Sequence, residues 1–262
     1  MDTAERGLLE EALRKTMTTA ESGTGLDSAL AGLGWTQMLA EEPDTAVPLV
    51  FRLLGETGAR ASVLNDVVLR AAGRPEGGTL PLPYAGGVWV EWARDGSPPG
   101  SALDPGLPLR RVDPGEAVPL AAGRRALGWW LLGTGRAMLG LARAHVLDRQ
   151  QFGRPLASFQ ALRHRLAEAF VALEGAEAVL AAAEDDTGSL LAKAVAGRAA
   201  LTTARHCQQA LGGIGFTAEH ALHRHVERAL VLDGLLGSTR ELTREAGALL
   251  LREGRARRLV DL

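Results

Sequence analysis

Between Arg74 and Pro119 the chain carries most of its 12 prolines, together with Gly77-Gly78, Gly86-Gly87 and Gly100. Proline fixes φ and lacks an amide donor, and glycine loses the most entropy on ordering, so no helix persists through such a block. The block divides the chain into a short N-terminal helical part (1–74), a reduced β segment (75–119) and a helical C-terminal part (120–262). Within it, Gly87 to Ala93 and Leu107 to Val112 have the composition of strands, with Trp89 and Trp92 placed for core or partner contacts.

Helical spacing dominates on both sides. Residues 5–20 and 26–40 read as helices, with Leu8, Leu9, Leu13, Leu30, Leu33 and Met38 on the repeat, and Ala46 to Leu54 forms another, closed by Gly55. A fourth runs from Ala59 to Ala72. After Pro119 a first long helix covers 120–148, its glycines permitting close packing. Ser158 is placed to cap a second, reaching Glu184, in which Phe159, Leu162, Leu166, Phe170, Leu173, Ala176 and Leu180 recur at steps of three or four. Asp185-Asp186-Thr187-Gly188 breaks the chain, a third helix covers 188–211 until Gly212-Gly213, and shorter ones cover 221–234 and 239–252. The expected fold class is mainly α: an up-and-down C-terminal helical bundle with a small N-terminal helical part and a reduced β segment. Ala, Leu and Arg, all strong helix formers, dominate the composition, and only Lys15 and Lys193 are lysines.

Charge and cysteine content narrow the function classes. Lys plus Arg number 29 against 31 Asp plus Glu, a net charge of -2, which argues against nucleic acid and anionic membranes as partners. The single cysteine, Cys207, excludes an intramolecular disulfide and reads as a buried small hydrophobe. No apolar run is long enough to span a bilayer and the first six residues do not read as a signal peptide, so a cytoplasmic location is expected. His223 and His225 point to different faces of one helix, and with His206 and His220 they lack the carboxylates that would complete a shell, so no metal site is assigned. The basic tail Arg252, Arg255, Arg257 and Arg258 reads as a solvated helix end.

Two motifs carry more specific information. Arg149-Gln150-Gln151-Phe152-Gly153 is followed by Phe159-Gln160 and then Leu166-Ala167-Glu168, and further on stands Gln209-Ala210-Leu211-Gly212-Gly213-Ile214-Gly215. In this order and at this distance they resemble the Arg-x-x-Phe-Gly link and the Gln-x-x-Gly-Gly-x-Gly turn of the acyl-CoA dehydrogenases. Gly32-Leu33-Gly34-Trp35 is similar to a motif of that family's N-terminal domain, and Ser101 to Asp104 with Leu109 to Val112 is similar to the last strands of its middle domain. Members are longer, so the resemblance implies that both of those parts are shortened here.

The resemblance implies FAD as cofactor, held in part by a neighbouring subunit, with Arg149, Gln151, Phe152, Gln209, Gly212, Gly213, Ser238 and Thr239 as the cofactor-binding residues. These residue types suit the task. A guanidinium forks onto a pyrophosphate, an aromatic ring packs on a dinucleotide, and glycine lets the backbone approach a ligand.

The family's catalytic glutamate has no counterpart. The matching run, Asp233 to Leu242, places Leu236 at that position, and the alternative location at the start of the first bundle helix, around Gly123 and Arg124, holds no acid. Asp233 and Glu241 are displaced from the required spot, so no catalytic residue is assigned. The family's middle-domain flavin loop also finds no match between Arg74 and Pro119. The expected role is that of a subunit completing the FAD site of a longer catalytic acyl-CoA dehydrogenase partner, with acyl-CoA as substrate of the complex. Heteromeric members of actinobacterial sterol degradation are the model for this. Two alternatives stand beside it: an independently active acyl-CoA oxidoreductase with an unrecognised base, and a helical scaffold that no longer binds FAD.

Overall fold

The computed structural model describes residues 3–94 and 104–254. Five helices come first: α1 (Thr3–Thr19), α2 (Thr24–Gly32), α3 (Trp35–Glu41), α4 (Pro43–Thr57) and α5 (Leu64–Ala71). The strands β1 (Pro81–Tyr84), β2 (Val88–Trp92) and β3 (Leu109–Val112) form an antiparallel meander in register Leu82↔Val90 and Trp92↔Leu109. The bundle follows as α6 (Ala121–Asp148), α7 (Gln160–Ala181), α8 (Asp186–Leu211), α9 (Leu222–Gly234) and α10 (Thr239–Glu253), with a two-stranded hairpin β4 (Gln150–Gln151) and β5 (Arg154–Pro155) between α6 and α7. The mainly α fold expected from the sequence is the one observed.

Helix α6 is the hub. It is apolar on nearly all sides, as a helix surrounded by protein must be, with Ala126, Leu127, Trp130, Leu131 and Met138 fully buried. Its glycines set how closely neighbours approach: Gly128 lies under Leu180 and Gly135 under Leu173, pairings that make α6 and α7 antiparallel. Against α4 the approach is closer still. A Cβ on Gly133 would lie 2.0 Å from the Arg52 carbonyl oxygen, and one on Gly55 would lie 2.4 Å from the Thr134 nitrogen. Two backbones touch there with no side chain between them. Gly55 therefore does not close α4 as its sequence position suggests; the helix runs on to Thr57, and Gly58, at φ 71, terminates it.

A chain of aromatic contacts joins the three parts into one core. Trp35 meets Phe51 edge-on at 6.2 Å, Phe51 meets Trp130 at 5.7 Å, and Trp130 stacks on Trp92 at 5.5 Å. Trp92 is thus a core residue at the seam between sheet and bundle. Asp66, itself buried, accepts from the Trp35 indole at 3.0 Å and pairs with Arg94 at 2.6 Å, which satisfies its charge.

Local signals explain most helix ends. Asp185 caps α8 by accepting from the Gly188 nitrogen at 2.6 Å, which starts that helix at Asp186, two residues before the expected point. Ser238 and Glu241 form a reciprocal capping box on α10. Further expectations are corrected. The helix foreseen over 26–40 is two, split at Gly34 (φ 82), and the fourth N-terminal helix begins at Leu64. Ser158 does not cap α7; its hydroxyl donates to the Pro155 carbonyl at 2.7 Å and Phe159 takes the capping position. Phe170 faces outward, because Ala169, Leu173, Ala176 and Leu180 define the inner face of α7. Strand β1 was not foreseen, since prolines at 81 and 83 argue against a strand except at a sheet edge, where β1 lies. Of the residues read from the sequence, Ser101 to Leu103 and Arg255, Arg257 and Arg258 lie outside the described residues.

The Gly133 contact admits no methyl group. Gly133→Ala should destabilise the chain by about 3 kcal/mol through overpacking. Gly140→Ala, on the exposed face of the same helix with open space around it, should stabilise by about 1 kcal/mol. Urea denaturation followed by circular dichroism distinguishes the two.

Candidate flavin-contact edge and the closed base position

The expected cofactor residues fall into two groups at opposite ends of the bundle. The first lies where α6 ends and α8 ends. Arg149 caps α6 in extended conformation, and the β4–β5 hairpin that follows turns through only two residues, Phe152 at φ 54 and Gly153 at φ 75. This tight turn suits the twist of a hairpin, but its first position usually goes to Asn, Asp or Gly. A phenylalanine held there costs about 1–2 kcal/mol. The strain presents the ring to solvent: Phe152 is 89% exposed. Phe159 supports it edge-on at 6.0 Å, and Arg154 stacks over Phe159 at 4.2 Å.

The second motif arrives at the same end. His206 of α8 lies 3.5 Å from Glu168 of α7, and His145 of α6 meets His220, beyond the end of α8, edge-on at 6.2 Å. Burial, His220 and Arg149 together hold the His145 pKa below its ordinary value. Gln209 is exposed on the last turn of α8. Gly212, at φ 66, is the C-cap there, and a Cβ on Gly212 or Gly213 would meet no atom of this chain within 4 Å. Gly212 is thus required by its backbone conformation, whereas Gly213 leaves open space over the backbone. The Arg149 guanidinium and the Gln151 and Gln209 amides have no side-chain hydrogen bond or ion pair among the described residues. The sequence therefore brings Arg149, Gln151, Phe152, Gln209, Gly212 and Gly213 together as an exposed edge of free donors and one aromatic ring.

Ser238 and Thr239 are not part of it. They lie beside Lys193 and Asp233, and the length of α8 from Lys193 to Gln209 is about 24 Å at 1.5 Å per residue. Both hydroxyls are used internally: Ser238 in the α10 capping box and Thr239 in donating to the Asp233 carboxylate. Asp233 also accepts from the Thr239 nitrogen at 3.1 Å. Glu241 accepts from the Ser238 and Gly86 nitrogens at 2.9 and 2.8 Å, bonds that hold its pKa below the usual carboxylate value. Both acids are engaged in holding local backbone.

At this second end the two sequence positions examined for a base meet in space. Leu236 is 1% exposed and lies over Gly123, where an added Cβ would be 2.7 Å from Leu236 Cδ1 and 2.8 Å from Val68 Cγ2. Leu236 adopts φ 58, a left-handed conformation that a leucine takes only under constraint. The constraint is visible: its nitrogen donates to the Pro83 carbonyl at 2.8 Å, and the Arg124 guanidinium donates to its carbonyl at 3.2 Å. Tyr84 of β1 packs on Gly234 and bridges to Leu235. Apolar packing fills the spot.

One residue there escaped the sequence reading. Lys193 is 1% exposed, and its ammonium donates to the Asp233 carbonyl at 2.9 Å and to the Gly237 carbonyl, tying α8 to the Leu236 link. Burial lowers its pKa to about 7, against the opposing pull of Asp233. Its rarity in an arginine-rich chain was the only available signal, and rarity does not say where a side chain points. Cys207 is fully buried and burial pushes its thiol up to about 12, which leaves it an inert apolar group.

The acyl-CoA dehydrogenase C-terminal domain model matches residues 117–248, half of the chain. The chain belongs to the acyl-CoA dehydrogenase family. It is 34% identical over 168 residues to the acyl-CoA dehydrogenase IpdE2 of Mycobacterium tuberculosis, an alignment covering 60% of this chain and 53% of that protein. The chain thus spans about half the length of this relative. In fold it matches a variant of the Tcur3481-Tcur3483 steroid acyl-CoA dehydrogenase (TM-score 0.74, 20% identity, 96% of this chain and 99% of that one). It also matches a chain of the ChsE4-ChsE5 complex of Mycobacterium tuberculosis (TM-score 0.70, 19% identity, 98% and 99%). Members of this family depend on FAD. Among the described residues no helix is long and apolar enough to cross a membrane.

In this acyl-CoA dehydrogenase chain the Lys193 tie has a pH signature. Its folded pKa lies below the unfolded value of about 10.4, so the unfolded chain binds more protons between the two and stability rises with pH above 7. Between pH 7 and 8.5 the gain approaches about 1.4 kcal/mol per unit, and Lys193→Met should abolish it. Urea midpoints across that range provide the measurement.

Proposed function

We propose that this chain is the non-catalytic subunit of a heteromeric acyl-CoA dehydrogenase. Arg149, Gln151, Phe152, Gln209 and the Gly212-Gly213 turn complete an FAD site whose other wall, and whose proton-abstracting glutamate, belong to a longer partner. The observation that carries this reading is Leu236, buried on Gly123. Both sequence positions at which the resemblance looks for a base come together there, and neither has a carboxylate. A leucine takes no proton, and the tight packing leaves no room for a thioester beside it.

The exposed edge supports the second half of the reading. Its residues fit a dinucleotide: an unpaired guanidinium suited to a diphosphate, amides with free donors and acceptors, an outward aromatic ring, and open space over Gly213. They form one wall only, since each faces outward from this chain. An aromatic side chain 89% exposed at the cost of backbone strain suits a surface that another molecule covers; Phe216, 63% exposed just beyond the Gly212-Gly213 turn, extends it. When bound, the flavin supplies the hydride acceptor for α,β-dehydrogenation of an acyl-CoA. This subunit's part is to hold the dinucleotide through Arg149 and its neighbours, while Ser238 and Thr239 serve helix capping. The heteromeric ChsE4-ChsE5 neighbour supports a partner chain, and the steroid acyl-CoA dehydrogenase neighbour supports a sterol-derived acyl group.

Co-expression with a catalytic acyl-CoA dehydrogenase chain should give a stable, yellow heteromer, whereas the chain alone should purify without flavin. Stoichiometric flavin in a homo-oligomer would contradict the reading. In the heteromer, Arg149→Ala should weaken FAD binding ten- to a hundredfold, as loss of a charge-assisted contact of about 1.5–3 kcal/mol requires. Flavin released on denaturation, measured by absorbance, quantifies it.

In catalysis, the chain alone, even reconstituted with excess FAD, should give no anaerobic flavin bleaching with any acyl-CoA thioester. The heteromer should bleach with at least one. Bleaching by the isolated chain would restore the independent-enzyme alternative.

A further inference from the structure

A cleft of about 410 Å³ opens between the link joining α4 to α5, the segment Asp104–Gly106 and the first turns of α9. Three guanidinium groups line it, from Arg60, Arg224 and Arg228, with His225 among them. Their charges are unevenly compensated. Arg228 is buried and committed: its Nε donates to the Asp104 carboxylate and its other arm to the Ala59 carbonyl at 3.3 Å. Asp104 is committed in turn, since its second oxygen accepts from the Gly106 nitrogen at 2.9 Å. The other acid of the cleft, Glu227, has a carboxylate oxygen 2.9 Å from the His223 Nε2.

Arg60 and Arg224 make no ion pair among the described residues. Among the described residues neither guanidinium has a carboxylate or carbonyl acceptor. Arg60 is held nonetheless, because it packs over Gly106 so closely that a Cβ there would lie 2.0 Å from its Nη1. The side chain is thus ordered by packing and not by an ion pair. Its field reaches Arg228, and together with burial it contributes to holding that pKa below the usual arginine value. Like charges gathered around a concave surface raise the folding cost unless an anion occupies it.

We propose that this cleft binds a small phosphate-bearing anion, gripped by Arg60 and Arg224 with the Arg228–Asp104 pair as its fixed wall. Forked guanidinium donors match the tetrahedral oxygens of a phosphoryl group, and the volume accommodates a phosphate, a diphosphate or the phosphate end of a nucleotide. The site is separate from the flavin-contact edge: Arg149 and the Gly212-Gly213 turn do not line it.

Calorimetric titration of the full chain with inorganic phosphate, pyrophosphate and ADP tests the assignment and separates a free phosphate from a nucleotide. Saturable binding of at least one, with Kd at or below about 1 mM, is expected. Arg60→Gln and Arg224→Gln should each weaken it about tenfold or more, while Arg165→Gln, exposed on α7 and not lining the cleft, should leave it unchanged. Arg224 is exposed, so its substitution leaves the fold intact. The His225 ring gives a second readout by NMR. Burial, Arg228 and Arg224 lower its pKa to about 4, and an anion beside those guanidinium groups should raise it. No saturable binding, or equal affinity in the Arg60 and Arg224 variants with an unmoved His225 titration, would overturn the proposal.

Discussion

The contact of α4 with α6 through Gly55 and Gly133 is the constraint on which the rest of this molecule depends. Two helices whose backbones touch cannot slide or rotate against each other without a clash, so the N-terminal part is locked to the bundle at one point. From that point the aromatic series Trp35, Phe51, Trp130 and Trp92 carries the packing through α6 into the sheet. A β segment of three strands gains stability only by burying a hydrophobic face or packing against a helix. Stacked on Trp130 and tied through Asn65, which donates to the Trp92 carbonyl at 3.0 Å, it becomes one face of a larger core.

The same compactness closes the second end of the bundle. The spot where the α9–α10 link passes the start of α6 is filled by Leu236, closed over by Tyr84 and held by Arg124 and Lys193. The charged groups beside it have internal partners: Asp233 serves Thr239, Glu241 serves Ser238 and Gly86, and Lys193 serves two carbonyls. Abstraction of a proton from a thioester needs a base free to accept it, which is the ground of the non-catalytic reading proposed above. The far end of the bundle is the opposite case, with free donors, an exposed ring and a strained turn. A surface that keeps polar groups unpartnered and an aromatic outward is built for contact.

Much of the fold was readable because helices report themselves through local chemistry. The five bundle helices were placed within a few residues by apolar spacing and by their stops, since Gly212, Asp185 and Ser238 act on the backbone beside them. Most misreadings occurred where a residue's role depended on a distant neighbour. Gly55 resembles a helix stop, and only the presence of α6 makes it a contact glycine. Phe170 fits the helical repeat, but the inner face of α7 is selected by the glycines of α6 that receive Leu173 and Leu180. Ser158 has the chemistry of a cap, yet the hairpin before it draws its hydroxyl to Pro155.

For the site the division is similar. The sequence alone determined the family motifs, the absence of an acid at the two expected positions, and which residues could face a dinucleotide, because residue type and spacing decide those matters. Only the tertiary structure decided that Leu236 and Gly123 touch, that Arg149 and Gly212 share one end of the bundle, and that Ser238 and Thr239 lie about a helix length away. It alone showed Lys193 buried and Arg60 and Arg224 gathered around a cleft. The physical reason is that hydrogen bonds and capping act over a few residues, whereas burial and electrostatic fields sum over groups that the chain brings together from many positions.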